Sequence, residues 1–236
     1  MKILCFGDSF TYGVGLPDYV EHGPNSLYAY PQLLAEQFGC CSLNLASPGA
    51  SNKEIWNIIL QTKLSPADIV VIMWSHPSRT CVINTPQEDP YTTEKWRIPE
   101  HVTGKFWTEH QTSIGHWMTL RQSKPGVGTG RIDELRDNHR LGQQATAYYK
   151  NIYNEVDADI STQLYMSHID LYLKHIGIKT VVHAMIPWQS IQRTHWNDLR
   201  VLKFSPSGRT TDGHADKISH RTFAKTVAKQ IHKSQK

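Results

Sequence analysis

The sequence predicts an α/β fold, a three-layer sandwich with a mainly parallel central sheet and one large insertion. Short β-rich runs at 2–6, 41–45, 67–74 and 178–186 alternate with segments of helical period, as in a parallel sheet covered on both faces. The run 67–74 is apolar almost throughout, which suits a strand buried on both sides. Polar segments follow the first three runs, with glycine after the first two, where open α/β sheets bind their ligands.

Residues 2–6 form the first predicted strand, carried by Ile3, Leu4, Cys5 and Phe6. A helix is expected over 27–38, with Leu33, Leu34 and Phe38 at apolar spacing and Gly39 as its stop. A second strand over 41–45 precedes a helix over 51–62 that places Ile55, Ile58 and Ile59 on one side. The strand 67–74 is third. From Leu141 to His175 the pattern is helical almost throughout, with Ile152, Val156, Ile160, Leu164, Ile169 and Leu173 as its apolar residues. One or two long helices there would pack against the sheet. A fourth strand over 178–186 and a helix over 217–232, with Phe223, Val227 and Ile231 spaced for burial, close the fold.

The segment from Thr80 to about Arg140 has no clear period. It holds Trp96, Phe106, Trp107 and Trp117 among polar residues, and Gly126-Val127-Gly128-Thr129-Gly130. Long irregular insertions in compact domains are commonly lids or binding loops, so 80–140 is expected to be a cap that shapes a substrate site. Rings that anchor the insertion to the core are the alternative. The glycines lack the lysine and serine or threonine of a phosphate loop, which argues against nucleotide binding.

At 236 residues the chain can bury a sizeable core as one domain, 1–236. No run approaches the roughly 20 apolar residues of a membrane span, and Ile3 to Phe6 is too short for a signal-peptide core, so the chain as given reads as cytoplasmic. Cys5, Cys40, Cys41 and Cys81 lie in or beside predicted strands without metal-site spacing and are expected as buried free thiols. The formal charge of +4, with thirteen histidines uncounted, comes from dispersed residues and argues against a nucleic-acid partner. Lys225, Lys229, Lys233 and Lys236 follow helical spacing and read as a solvated face.

The chemistry begins where the first strand ends, at Gly7-Asp8-Ser9-Phe10-Thr11-Tyr12-Gly13. A buried strand, a glycine turn and a small polar residue lift a hydroxyl to the carboxyl edge of a sheet, which makes Ser9 the candidate nucleophile. A simple turn with a helix cap would use the same residues. A serine hydroxyl needs a base within hydrogen-bond reach and a third group to orient that base. Near the other end, Asp212-Gly213-His214 supplies both, and such triads occur in several chain orders. Metal chemistry on Asp212, His214 and His220 ranks below this, because their spacing matches no zinc motif.

These segments resemble the motif blocks of the SGNH, or GDSL, hydrolase superfamily. The first block is Gly7 to Gly13. The second is Asn44-Leu45-Ala46-Ser47-Pro48-Gly49-Ala50-Ser51-Asn52, and the last is Asp212-Gly213-His214. The resemblance implies a flavodoxin-like SGNH hydrolase fold. It further implies Ser9 as nucleophile, His214 as base, Asp212 as its orienting acid, and an oxyanion hole from the backbone N–H groups of Ser9 and Gly49. No metal or organic cofactor is implied. The family more often spaces acid and base as Asp-x-x-His. The third block departs further: the family's Gly-x-Asn-Asp, whose asparagine donates to the oxyanion, is replaced by Trp74-Ser75-His76-Pro77-Ser78-Arg79.

Ser75 and His76 are the nearest replacement donors in sequence, with Ser75 expected in the oxyanion hole, and Arg79 is suited to an anionic substrate or to the developing charge. Asp8, Trp74, His76, Arg79 and Trp188 are the expected substrate-binding residues. The expected activity is hydrolysis of a carboxylic ester through an acyl-enzyme, and the partner is a small-molecule or carbohydrate ester. The aromatic insertion tilts this toward an O-acetyl group on a carbohydrate. Acyl transfer to a sugar or alcohol, and a non-catalytic binding module on the same fold, are the alternatives.

Overall fold

The computed structural model describes residues 1–20, 25–84, 116–120, 148–186 and 201–235, with backbone alone at 81–84 and 116–120. Strands β1 (Lys2–Phe6), β2 (Cys41–Asn44), β3 (Ile69–Trp74), β6 (Thr180–Met185) and β7 (Val201–Lys203) form one sheet in the order β2-β1-β3-β6-β7. Every pairing in it is parallel, with Leu4 opposite both Leu43 and Val70, Val71 opposite Val182, and Ala184 opposite Leu202. Taken as successive strands of this sheet, the order is 2-1-3-4-5, the flavodoxin-like arrangement. Strand order reverses at β1, so the crevice beyond the carboxyl ends opens between β1 and β3.

Side chains of successive strand residues point to opposite faces, and each face is covered. Ile3, Cys5, Ile69, Val71, Met73, Val182 and Ala184 meet Leu34 of α2 (Tyr30–Phe38) and Phe223, Val227 and Ile231 of α5 (Lys217–Ser234). On the other side Leu4, Phe6, Val70, Ile72 and Trp74 meet Ile55 and Ile59 of α3 (Asn52–Gln61) and Met166, Ile169 and Leu173 of α4 (Glu155–His175). The expected three layers and mainly parallel sheet are therefore present. A capping box between Ser51 and Glu54 starts α3, and Asn154 and Asp216 cap α4 and α5. Gly39 ends α2 in the left-handed region at φ 57°.

Several elements differ from expectation. A hairpin of β4 (Thr80–Asn84) and β5 (His116–Leu120) stands within the insertion. The other insertion residues, with Trp96, Phe106, Trp107, the glycine run and Trp188 further on, lie outside the described residues. The three-residue β7 carried too little pattern to be recognised. The helix foreseen from Leu141 occupies 155–175, after a single helical turn at 148–151. Its core face runs through Asp159, Thr162, Met166, Ile169 and Leu173, whereas Ile152, Val156, Ile160 and Leu164 are exposed. Both stripes obey helical spacing, and only one can face a sheet. Among the cysteines Cys5 is buried and its thiol pushed up by burial, but Cys40 is half-buried and Cys41, at the outset of an edge strand, is exposed. Lys225, Lys229 and Lys233 are exposed as expected. No helix among the described residues is long and apolar enough to cross a membrane.

His220 sits on the core side of α5 with no exposed surface, accepting the Tyr30 N–H at Nδ1 over 3.2 Å and packed on the Tyr30 and Phe204 rings. Burial pushes its pKa down to about 4, against an opposing pull from Asp216 and with a smaller push from His214. The neutral ring is the form that fits, since protonating Nδ1 breaks the bond to Tyr30. A histidine with a folded pKa below its unfolded value contributes stability in full above about pH 6.5, and that stability is lost as pH falls toward the folded value. His220→Asn keeps an acceptor near Nδ1 and removes the titration. Urea unfolding between pH 7 and pH 4 is expected to show the wild type losing on the order of 3 kcal/mol more than the variant. Parallel pH dependence in the two would show that His220 does not carry the acid sensitivity.

Candidate active site

Ser9 begins α1 (Ser9–Tyr12), one turn of helix directly beyond β1, at the switch point of the sheet. Gly7 lets that turn close, because a Cβ there would collide with Thr11 Oγ1 and meet Met73 Cβ at 3.0 Å. Asp8 is the N-cap, its Oδ1 accepting the Phe10 N–H at 3.1 Å. The helix cap, one of the two readings of this segment in the sequence, is therefore present, and Ser9 itself is 5% exposed. Ser9 Oγ has no hydrogen-bond partner among the described residues.

The second loop is a tight turn through Ser47-Pro48-Gly49-Ala50, closed by Ala50 N–H to the Ser47 carbonyl at 3.1 Å. Gly49 takes the left-handed region at φ 84°, the conformation that a proline-glycine turn of this kind requires. The Ser47 N–H bonds to the Gly7 carbonyl at 3.1 Å and so lays this loop beside the Ser9 turn. Among the described residues the backbone N–H groups of Ser9 and Gly49 have no acceptor. Unpaired donors of this sort, one at a helix N-terminus, suit an anion or an oxygen gaining charge.

Beyond β3, Asn52 pairs edge to edge with the Ser75 backbone, accepting its N–H at 2.7 Å and donating to its carbonyl at 3.0 Å. The same amide nitrogen donates to Thr162 Oγ1 at 3.0 Å, tying this strand end to α4. Ser75 Oγ donates to Asp8 Oδ2 at 3.2 Å and accepts from Arg79 Nη1 at 2.7 Å. Both donors of Ser75 are spent, so the expectation that it serves the oxyanion hole is corrected. His76 Nδ1 accepts the Ser78 N–H at 3.0 Å within its own turn. Arg79 Nη1 lies 2.6 Å from Asp8 Oδ2, in an ion pair almost wholly out of solvent.

Asp8 and Trp74 also change role. Asp8 is 2% exposed with both oxygens engaged. It is an internal support and not a substrate contact. Trp74 is 1% exposed, and its indole N–H donates to His183 Nδ1 at 3.1 Å on the α3–α4 face. Strand alternation sends it into the core, while Ser75 and Arg79 beyond it reach the crevice side through Asp8.

His214 lies in the turn before α5, its ring 5.2 Å from the Phe10 ring, centroid to centroid. Phe10 follows Ser9, so this packing brings the histidine to the serine's turn. His214 Nδ1 is 3.1 Å from Asp212 Oδ2, at ion-pair distance but off the angle of a hydrogen bond. The His214 N–H donates to Asp212 Oδ1 at 3.2 Å, and Thr210 Oγ1 donates to the same oxygen. Partial burial pushes the Asp212 carboxyl up, but the bonds from Thr210 and His214 together with the charge of His214 outweigh it and hold the group below the ordinary carboxylate range. No hydrogen bond joins Ser9 to His214 in this structure; such contacts often tighten only when substrate is bound. No group of three metal-ligating side chains occurs among the described residues.

Sequence reasoning missed Asn52 and Gly15. Asn52 ends the second block, and an asparagine at the first turn of a helix reads as a cap. Gly15, at φ 80°, faces Asp212: a Cβ there would stand 2.5 Å from Oδ1 and 2.7 Å from Oδ2.

No family model and no curated protein matches this chain. Among solved structures it is similar to a protein described as lipolytic and of the G-D-S-L family from Desulfitobacterium hafniense, at 11% identity over 98% of this chain and 99% of that one, with a TM-score of 0.48. It is similar to an acetyl xylan esterase from Butyrivibrio proteoclasticus at 15% identity, over 99% of this chain and 64% of that one, with a TM-score of 0.45. A phospholipase A1 from Streptomyces albidoflavus shares 12% identity over 99% and 73% of the two chains, with a TM-score of 0.34. These are loose likenesses, and the fold stands on this chain's own strand order.

Gly15→Ala is expected to destabilise by roughly 1–3 kcal/mol, from left-handed strain plus displacement of the Asp212 carboxylate. Gly39→Ala, also at positive φ but with nothing within 4 Å, should cost less. Equal midpoints in urea for the two variants would contradict the close packing of Gly15 on Asp212.

Proposed function

We propose that the protein is a serine esterase that cleaves carboxylic esters through an acyl-enzyme on Ser9. The observation that carries this reading is the pair of unpaired N–H groups at Ser9 and Gly49 beside a free hydroxyl at the topological switch point. His214 serves as general base, and Asp212 orients its ring and stabilises the imidazolium. The acyl carbon is attacked by Ser9, the leaving alkoxide takes the proton from His214, and water repeats the sequence to release the acid. A small O-acyl group on a carbohydrate is the proposed substrate class, resting on the aromatic residues Trp96, Phe106, Trp107 and Trp117 in the insertion.

Partial burial pushes the Asp212 carboxyl up, but the bonds from Thr210 and His214 outweigh it and hold the group below the ordinary carboxylate range, so it stays charged in mild acid. Hydrolysis of p-nitrophenyl acetate and butyrate is expected to fall at least about a thousandfold in Ser9→Ala and in His214→Ala. In the wild type the rate should rise with pH to a plateau. Equal turnover by wild type and Ser9→Ala would refute the reading.

A further inference from the structure

We propose that Arg79 is the third donor of the oxyanion hole, in place of the side-chain amide missing after β3; this rests on the serine-esterase reading above. One nitrogen of its guanidinium, Nη1, reaches three acceptors around the crevice: Asp8 Oδ2 at 2.6 Å, Ser75 Oγ at 2.7 Å and, more distantly, the Ala50 carbonyl at 3.5 Å. Asp8 adjoins Ser9 and Ala50 adjoins Gly49, so Arg79 is tied to the neighbours of both unpaired N–H groups. The Arg79 side chain is 15% exposed. A guanidinium carries five N–H donors, and those on Nε and Nη2 have no acceptor among the described residues.

Two further features separate this role from capture of an anionic substrate. Asp8 already neutralises the charge of Arg79, which leaves oriented donors with little net charge. That arrangement favours an uncharged ester whose carbonyl oxygen gains charge only in the transition state, the situation in which a fixed donor accelerates reaction. Of the alternative donors on this loop, Ser75 is consumed by Asp8 and Asn52, and His76 is held at Nδ1 by the Ser78 N–H within its own turn. As Ser9 Oγ bonds to the acyl carbon its proton passes to His214, and the carbonyl π pair moves onto oxygen, where the N–H groups of Ser9, Gly49 and Arg79 receive it. Collapse restores the carbonyl and expels the alkoxide, which leaves with the proton held by His214.

The test compares wild type, Arg79→Met, Arg79→Lys, Arg79→Ala and Ser9→Ala on neutral p-nitrophenyl acetate and on anionic p-nitrophenyl hemisuccinate. The expected result is a fall in kcat of about 10²–10³-fold for Arg79→Met on both esters, with KM within about threefold of wild type and the acid limb of the pH profile unmoved. Arg79→Lys, which keeps the ion pair to Asp8 but not the fork, should fall between. In Arg79→Ala, millimolar guanidinium should restore part of kcat and leave Ser9→Ala unchanged, a rescue that a merely structural arginine would not give. A kcat for Arg79→Met close to wild type would overturn the proposal. So would a rise in KM confined to the hemisuccinate, which would make Arg79 an anion subsite. Wild-type turnover no faster than Ser9→Ala would instead remove the esterase reading and this proposal with it.

Discussion

The carboxylate of Asp8 is the constraint on which the site depends. It is buried, and a buried charge is tolerated only when paired and fully hydrogen-bonded. Oδ1 holds the first turn of the Ser9 helix through Phe10, and Oδ2 holds Ser75 and Arg79 from the far side of the crevice. One side chain therefore fixes the direction of the serine turn and its distance from the loop after β3. Removing it would leave Arg79 as a buried unpaired charge and the serine helix without a cap.

The remaining parts attach to this centre by backbone. Parallel pairing aligns the carboxyl ends of β1, β2 and β3, and the reversal of strand order opens a gap between them that helices on either face do not fill. The turn after β2 is stitched to Gly7 and so presents the Gly49 N–H beside that of Ser9. Asn52 then clamps the end of β3 by reading both polar groups of one peptide residue. His214 arrives from the opposite end of the chain, with Phe10 against its ring and Gly15 beneath Asp212. Three of the four loops that make the site are hydrogen-bonded to a neighbour, and the fourth, which carries Asp212 and His214, is seated by packing.

Much of this was legible in the sequence, for physical reasons that differ by element. The strands β1 and β3 announce themselves because burial on both faces favours a continuous apolar run, and β6 stands out despite Thr180 and His183. Ser9 was a candidate from the strand-turn-serine pattern, Asp212 and His214 from an acid two residues before a histidine, and Gly49 from the family resemblance; the structure shows Ser9 beginning the turn after β1 and Gly49 in a tight turn beside it. Trp74 misled, since an aromatic residue at a strand end faces either crevice or core, and only the pleat decides. The exposed apolar stripe leading into α4 misled similarly: Ile152, ahead of the helix, and Val156, Ile160 and Leu164 on it obey helical spacing as the core face does. The bonds of Asp8 to Ser75 and Arg79, and of Asn52 to Ser75 and Thr162, were invisible because each spans 23 residues or more and has no local signature.

The central claim is that folding activates one hydroxyl, and the most direct measurement is labelling by a fluorophosphonate followed by mass-spectrometric mapping of the adduct. The account predicts a single phosphonyl group on the peptide containing Ser9, formed rapidly in the wild type and far more slowly in His214→Ala. Absence of an adduct on native protein, or an adduct on another serine that persists in Ser9→Ala, would contradict it.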